Sequence, residues 1–321
     1  MEYLLNLDYK VWGVVRRTSS AHSINRIQEL SKGRANLRYG DMTDPASLTR
    51  IVQECNPHEI YNLAAQSHVK VSWDERKNTC DINCTGVLNI LDAMNAVCPE
   101  ARFYQASTSE MFGISPPPQN ENSEFHPRSP YGVAKVGGYW LVRNFRESYS
   151  NFASNGILFN HESERRGESF VTRKVTKAVA RIKLGLDKEF ELGNLDSKRD
   201  WGYAGDYVEA MHLILQHDEP DDFVIATGQA HTIRHMLELA FRVVDIPVIS
   251  DGDTGFDEKY IREDTGEVVL RINERFYRPA EVDYLCGDAS KAERILGWKP
   301  KMSFEKLIER MIKHDLEAEA K

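Results

Sequence analysis

Several features that mark particular classes of protein are missing from this sequence of 321 residues. No apolar run approaches the roughly 20 residues of a membrane-spanning helix, and no signal peptide is recognised before Lys10. There is no basic excess, because 41 Lys and Arg against 49 Asp and Glu give a net charge of −8, which argues against nucleic-acid binding. Repeats and low-complexity tracts are absent too. We therefore expect a soluble protein that binds neither nucleic acid nor a membrane.

Cysteine is scarce, with five residues at positions that lack the paired spacing of a metal site. Cys80 and Cys84 lie four residues apart, so both thiols share one helix face, and we interpret them as core rather than redox residues. A reducing compartment fits this usage. We predict a cytoplasmic protein without a metal.

Short apolar runs alternate with helical patterns, which is typical of a parallel sheet in an α/β fold. At 41% hydrophobic, the chain can bury a large core and form two domains. Strands are predicted at 11–15, 36–39, 59–63, 102–106, 156–159 and 223–226. Helices are predicted at about 22–31, 45–54, 77–97, 131–150, 171–184, 206–216 and 232–244. A loop or hairpin is expected at 250–273, and Ser303 is expected to cap a final helix.

Tyr131 and Lys135 lie four residues apart and share one face of a predicted helix. The Lys ammonium favours the phenolate and lowers the pKa of the tyrosine from about 10 toward the working pH. A phenolate can take the proton of a substrate hydroxyl while hydride leaves the same carbon. A lone match is weak, but Ser129-Pro130 opens this helix and a predicted strand delivers the hydroxyls of 107–109. We therefore predict a catalytic site with Tyr131, Lys135 and Thr108.

Glu110 narrows the chemistry, because oxidation of an alcohol needs no carboxylate at the reacting carbon. A carboxylate beside Thr108 could take the proton next to a new ketone and then protonate a leaving hydroxide. This combination indicates dehydration, and we predict Glu110 as its acid/base.

The run Phe103-Tyr-Gln-Ala-Ser-Thr-Ser-Glu-Met-Phe-Gly113 resembles the catalytic segment of the GDP-mannose 4,6-dehydratase family. The resemblance extends to further family motifs at residues 127–135, 156–163, 165–167, 170–174, 192–202 and 277–283. The resemblance implies the extended short-chain dehydrogenase/reductase fold: a doubly wound, Rossmann-type parallel sheet with a smaller C-terminal α/β domain. It implies an NADP-binding domain at 1–168 plus about 203–228, and a nucleotide-sugar domain at about 169–202 and 229–321.

The chain departs from the family at its start. The family opens with a strand and a Gly-x-x-Gly-x-x-Gly turn that cradles the cofactor pyrophosphate, whereas residues 1–17 resemble the end of the first helix and the second strand. We expect that the sequence was truncated there, and that the chain as written binds NADP poorly.

The cofactor is predicted to be NADP. Arg16 and Arg17 follow the second family strand, where NAD-selective proteins place an acid, and two guanidiniums suit a 2′-phosphate. By resemblance, the same Arg pair reaches a neighbouring subunit, which implies a homodimer or homotetramer. Other cofactor contacts implied by the resemblance or by small residues after a strand are Asp41, Met42, Leu63, Ala64, Ala65, Gln66, Ser67, Tyr131, Lys135, His161 and Arg166. Without the resemblance, Asp41 would be predicted as a helix cap.

The substrate is predicted to be GDP-mannose, whose diphosphate needs two or three cations. The predicted substrate contacts are Ser109, Asn160, Arg173, Lys174, Lys198, Arg199, Arg278 and Glu281. Glu281 could hold a hydroxyl of the ligand or pair with one of these cations.

The predicted reaction is redox-neutral. Tyr131, Lys135 and Thr108 oxidise carbon 4 of the hexose with NADP, Glu110 removes the proton at carbon 5, water leaves carbon 6, and hydride returns there. The product, GDP-4-keto-6-deoxymannose, leads to GDP-fucose or related deoxyhexoses. The alternatives are a nucleotide-sugar epimerase or reductase of the same fold, or an impaired nucleotide-sugar-binding partner subunit.

Overall fold

The fold is described from a computed structural model that covers residues 1–18, 21–277 and 280–321, with the backbone alone at 21–23. The chain divides into two compact units. The first contains residues 1–111, 129–157 and 208–223, and the second contains 112–128, 158–207 and 224–321. The predicted NADP-binding domain extends beyond the first unit, because residues 112–128, 158–168, 203–207 and 224–228 belong to the second unit.

Parallel strands dominate the first half of the chain. Strands β1 (Trp12–Val15) and β2 (Asn36–Tyr39) form a two-stranded parallel sheet. Four further strands make the main sheet in the order β3-β4-β5-β9: β3 (Glu59–Asn62), β4 (Arg102–Thr108), β5 (Ala153–Leu158) and β9 (Asp222–Ile225). β3 and β4 pair in parallel, with Asn62 opposite Gln105. Every predicted strand is present, with ends shifted by at most three residues.

The surrounding helices are α1 (Glu2–Asn6), α2 (Ala21–Ser31), α3 (Pro45–Cys55), α4 (Arg76–Cys80), α5 (Gly86–Val97), α6 (Pro130–Tyr149) and α8 (Ala204–Gln216). Side-chain caps set two of the starts, since Asp44 caps α3 and Ser129 caps α6, each followed by proline in the first turn. The sequence prediction placed both starts within one residue.

One predicted helix is interrupted. The segment 77–97 is α4, a π-helical turn at Asp81–Thr85, and then α5. Helix α6 packs on this turn through Gly138, where an added Cβ would lie 2.7 Å from the carbonyl oxygen of Asn83. A π-turn inserts one residue into the helical ladder and is frequent at functional sites. The prediction that both thiols here belong to the core is wrong for Cys80, which is exposed.

The second unit contains two smaller sheets. The first of these sheets has the order β10-β8-β6 and contains β6 (Asn160–Glu162), β8 (Lys198–Tyr203) and β10 (Ala230–Thr232). The other sheet has the order β11-β12-β13-β7 and contains β7 (Phe190–Leu192), β11 (Val248–Ser250), β12 (Lys259–Arg262) and β13 (Val268–Ile272). Its helices are α7 (Val171–Lys183), α9 (Ile233–Val243), α10 (Ser290–Leu296) and α11 (Phe304–Glu319). The expected hairpin is β12–β13, and Ser303 caps α11 by accepting from Lys306 N–H.

Each unit has its own apolar core. In the first unit, the core joins α3, α5, β4 and α6 through buried residues that include Leu48, Leu91, Met94, Phe103 and Val142. In the second unit the core joins α7, α9, α11 and the β12–β13 pair. The first core fixes α6 against β4, which are the two elements that carry the predicted catalytic side chains.

Candidate active site

Thr108 and Glu110 lie at the carboxyl end of β4, where the strand passes into a short 3₁₀ turn at Ser109–Met111. Side chains alternate here, with Ser107 and Ser109 buried and Thr108 and Glu110 half-buried. The Glu110 backbone N–H donates to Thr108 Oγ1 over 3.3 Å. The Thr108 hydroxyl and the Glu110 backbone are therefore neighbours on one turn. Ser109, predicted to contact substrate, is 2% exposed.

Tyr131 and Lys135 lie in the first two turns of α6, and both are buried in the same unit as Thr108. The Tyr131 backbone N–H donates to Ser72 Oγ over 3.2 Å, which anchors the helix start. Lys135 Nζ donates to the carbonyl oxygen of Ala106 over 2.8 Å and lies 5.9 Å from the centroid of the Tyr131 ring. Burial lowers the pKa of Lys135 to about 8. The structure thus brings α6 and the end of β4 together as predicted.

Arg16 and Arg17 follow β1, and both are exposed. Arg17 lies over the ring of Tyr39 at 5.2 Å, at the end of the neighbouring strand β2. Asp41 accepts from the N–H and the hydroxyl of Thr43, and these bonds, with the charge of Arg16, lower its pKa. Asp41 does not cap α3, a role that belongs to Asp44. A cationic cluster therefore lies at the carboxyl edge of the two-stranded sheet.

The segment Leu63, Ala64, Ala65, Gln66 and Ser67 leaves the end of β3, with Leu63, Ala64 and Ser67 exposed. Its backbone is held by a residue that the sequence analysis missed. Asn83, on the π-helical turn, accepts from Gln66 N–H and donates to the Gln66 carbonyl, both over 2.9 Å. Met42 is held similarly, since Asn89 donates to its carbonyl over 2.7 Å. No sequence signal separates Asn83 from any other helical asparagine.

In the second unit, His161 lies on β6 and stacks on Tyr207 at 4.9 Å. Its Nδ1 is 2.9 Å from the carbonyl oxygen of Phe159, which can only accept, so Nδ1 carries the proton. Burial lowers the pKa of His161 to about 4, and the ring is neutral at pH 7. Arg166 pairs with Glu162 at 3.2 Å and covers Phe170.

The predicted substrate cations have different surroundings within this unit. Lys174 lies 3.5 Å from the ring centroid of Phe276, and the exposed Lys198 lies 5.3 Å from that of Tyr284. Arg199 pairs with Glu281 at 3.2 Å, the second of the two roles foreseen for this acid. Asn160 lies opposite Trp201 in the β6–β8 pair. Arg278 lies outside the described residues.

Arg173 lies in a buried ion pair of the second unit. Its side chain is 9% exposed and pairs at 2.6 Å with Asp315 of α11, which is 1% exposed. This ion pair fixes the guanidinium among buried groups, and a phosphate contact by Arg173 stays a prediction.

Other site types find no support in the described ranges. These ranges contain no group of three or more His, Cys, Asp or Glu side chains placed to hold a metal ion. Every helix within 1–18, 21–277 and 280–321 is too short or too polar to cross a membrane.

Sequence comparison adds to this geometry. The sequence profile of the GDP-mannose 4,6 dehydratases matches residues 1–311. The chain belongs to this family. Its relatives include the GDP-mannose 4,6 dehydratases of Drosophila melanogaster (52% identical, 98% of this chain and 82% of the relative) and Homo sapiens (49%, 98% and 87%). The enzyme of Sinorhizobium fredii is 47% identical over 98% of this chain and 92% of its own. The family resemblance predicted from the motifs is confirmed.

The fold of this chain is similar to that of several solved structures. RMD from Pseudomonas aeruginosa complexed with NADPH has a TM-score of 0.76 at 22% identity, covering 97% of this chain and 100% of its own. The UDP-glucose 4-epimerase of Thermotoga maritima with UDP-glucose has a TM-score of 0.80 at 23% identity, covering 99% and 94%. At this identity the likeness concerns the fold alone, and it confirms the predicted Rossmann-type α/β class.

Proposed function

We propose that this protein dehydrates GDP-mannose to GDP-4-keto-6-deoxymannose, with NADP as its resident cofactor. The observation that carries the proposal is the turn at the end of β4, where Glu110 lies beside Thr108 in the unit that also holds Tyr131 and Lys135. Family membership and the dehydratase names of the relatives support the same reaction. An epimerase or reductase would use Tyr131 and Lys135 but has no need of an acid/base at this turn.

The described residues fit a nicotinamide dinucleotide at several points. Arg16 and Arg17 are exposed cations at the carboxyl edge of β1, suited to a 2′-phosphate. The small residues after β3 leave the backbone open to a ligand, and the buried Gln66 Oε1 has no hydrogen-bond partner within the described ranges. Asp41 and Met42 are proposed at the adenine end. In the second unit, His161 and Arg166 stay predictions for the nicotinamide end.

When bound, NADP supplies reversible acceptance of hydride. The protein's own residues handle the protons. We assign to Tyr131 the removal of the proton from the hydroxyl on carbon 4, and to Thr108 the orientation of that hydroxyl. Lys135 carries a positive charge below its pKa of about 8, and this charge favours the phenolate of the neighbouring tyrosine.

Glu110 is assigned the elimination. A ketone at carbon 4 acidifies the proton on carbon 5, which the Glu110 carboxylate removes. The same group, now protonated, gives its proton to the hydroxyl leaving carbon 6 as water. One acid/base group therefore serves both halves of the elimination and finishes in its starting state.

Lys174, Lys198 and Arg199 are proposed to bind the diphosphate, with Glu281 holding Arg199 in place. Asn160 and Ser109 stay predictions as substrate contacts. A homodimer or homotetramer, a cytoplasmic location and a place at the start of GDP-fucose synthesis complete the proposal.

The experiment is incubation of the purified chain with GDP-mannose and an excess of NADP, followed by mass and NMR analysis of the sugar. We expect a 4-keto-6-deoxy product without net accumulation of NADPH. An epimerised sugar would identify an epimerase. Binding of GDP-mannose without NADP binding or product would identify a partner subunit.

A further inference from the structure

A buried polar network lies behind the catalytic strand, and the proposed chemistry does not use it. Its centre is Asp222, the first residue of β9, which is 5% exposed. An ionised carboxylate at this depth is costly unless several donors satisfy it. The donors identify which elements the network joins.

Two of these donors come from α6. Arg146 donates from Nη1 to Asp222 Oδ1 over 3.0 Å and from Nη2 to Oδ2 over 2.9 Å. Tyr139 donates its hydroxyl to Oδ2 over 2.9 Å. Because Tyr139 and Arg146 are two helical turns apart, these bonds together fix the rotation of α6 about its own axis. Charge-assisted bidentate bonds are the strongest of the common hydrogen bonds.

The third donor leads to the catalytic strand. Asn155 of β5 is fully buried and donates from Nδ2 to Asp222 Oδ1 over 2.8 Å and to the Tyr139 carbonyl over 3.4 Å. Its Oδ1 accepts from Ser107 Oγ over 3.1 Å. Ser107 directly precedes Thr108, and its hydroxyl is buried away from the half-buried face that carries Thr108.

We propose that Asp222 and Asn155 are positioning residues that hold the catalytic helix α6 in register with the catalytic strand β4. One carboxylate binds the helix directly and reaches the strand through the Asn155 amide. The inference rests on the proposed function, because it assigns to this network the spacing between the Tyr131 phenol and the Thr108 hydroxyl.

The distance between the Tyr131 phenol and the Thr108 hydroxyl matters because proton transfer needs both groups within hydrogen-bonding distance of the substrate hydroxyl. A displacement of about 1 Å lowers the rate on the order of 100-fold. Loss of the network should therefore lower kcat, while the binding of GDP-mannose by cations of the second unit is retained. A network that merely stabilised the fold would lower the melting temperature and leave kcat per folded molecule unchanged.

The test uses Ser107→Ala, which removes one hydroxyl, and Asn155→Leu, which removes both links with little change in volume. The matched control is Asn151→Ala. Asn151 is also buried in the first unit, precedes the same strand β5, and donates to the Pro99 carbonyl over 3.1 Å at the end remote from Thr108.

We expect kcat on GDP-mannose to fall roughly 10-fold in Ser107→Ala and roughly 100-fold in Asn155→Leu, with KM within about 2-fold. Combining either change with Thr108→Val should add little to the loss from Thr108→Val alone, because the positioned group is already absent. Unchanged kcat in Asn155→Leu, or losses that add fully in the double variant, would overturn the proposal.

Amide hydrogen exchange provides a readout that needs no turnover. In Asn155→Leu, peptides covering 102–111 and 130–136 should lose protection, whereas Asn151→Ala should leave them as in the unmodified chain. Equal protection in these peptides would also overturn the positioning role. If the unmodified chain does not dehydrate GDP-mannose while exchange changes as expected, the proposed function fails and the network assignment stands.

Discussion

The side-chain nitrogen of Lys135 lies 2.8 Å from the carbonyl oxygen of Ala106. This hydrogen bond joins α6 to β4 four residues after Tyr131 and two residues before Thr108. The ammonium is buried here, and burial lowers the pKa of Lys135 to about 8. The charge that favours the tyrosine phenolate is therefore lost at mildly alkaline pH.

Activity should consequently fall as pH rises through about 8. Stability responds with the opposite sign: the folded pKa of Lys135 lies below its unfolded value of about 10.4, so between these values the unfolded chain binds more protons. For this group, the free energy of unfolding increases over that window while kcat decreases. Paired measurements of kcat and of urea unfolding from about pH 7 to about pH 10 check this. A flat kcat, or one that falls only as the chain unfolds, contradicts it.

Replacing Glu110 with Gln keeps the shape of the side chain and removes its basicity. Turnover of GDP-mannose should fall by roughly 100-fold or more, the usual contribution of a positioned acid/base group. Glu100→Gln is the matched control, since Glu100 is an exposed carboxylate just before the amino end of the same strand. Near-normal turnover in Glu110→Gln would remove this residue from the mechanism.

Arg16→Ala and Arg17→Ala should weaken binding of NADP more than binding of NAD. Each lost charge-assisted contact with the 2′-phosphate costs about 1.5–3 kcal/mol, and NAD has no such group. Calorimetric titration of both cofactors measures the difference, with Arg50→Ala, another exposed arginine of the first unit, as the control. Equal losses for the two cofactors would show that the pair serves another purpose.

Substitution of Arg173 should lower stability, whereas substitution of Lys198 should weaken substrate binding. Arg173→Ala leaves Asp315 buried without its ion-pair partner, which should lower the free energy of unfolding by about 3–5 kcal/mol. Lys198→Ala removes an exposed cation and should raise KM for GDP-mannose with little change in melting temperature. Thermal unfolding and steady-state kinetics on both variants distinguish these outcomes. A raised KM in Arg173→Ala with an unchanged melting temperature would instead support its predicted phosphate contact.

The sequence predicted the long helices and central strands well because their signals are local. Asp44 and Ser129 each combine a capping side chain with a following proline, and this pattern fixes a helix start. The short strands β6, β7, β8, β10 and β11 were missed, because segments of three to six residues set by tertiary pairing carry no clear period.

The proposed catalytic side chains were identified from their spacing, whereas the residues that contact these elements from a distance were not. Asn83 and Asn155 act through bonds to elements distant in sequence, at separations of 17 and 48 residues. The ion pair of Arg173 was not predictable for the same reason, since its partner Asp315 lies in α11, far along the chain. Motifs identify a charge, and only the fold shows whether that charge is already paired.

The most direct test of the central claim is the fate of deuterium placed on carbon 4 of GDP-mannose. For the redox-neutral dehydration proposed here, NMR of the product should show the deuterium on carbon 6 of a 4-keto-6-deoxy sugar, with a solvent proton on carbon 5. Deuterium retained on carbon 4 of an otherwise unchanged or epimerised hexose, or lost to added NADP without formation of a methyl group, would contradict the account.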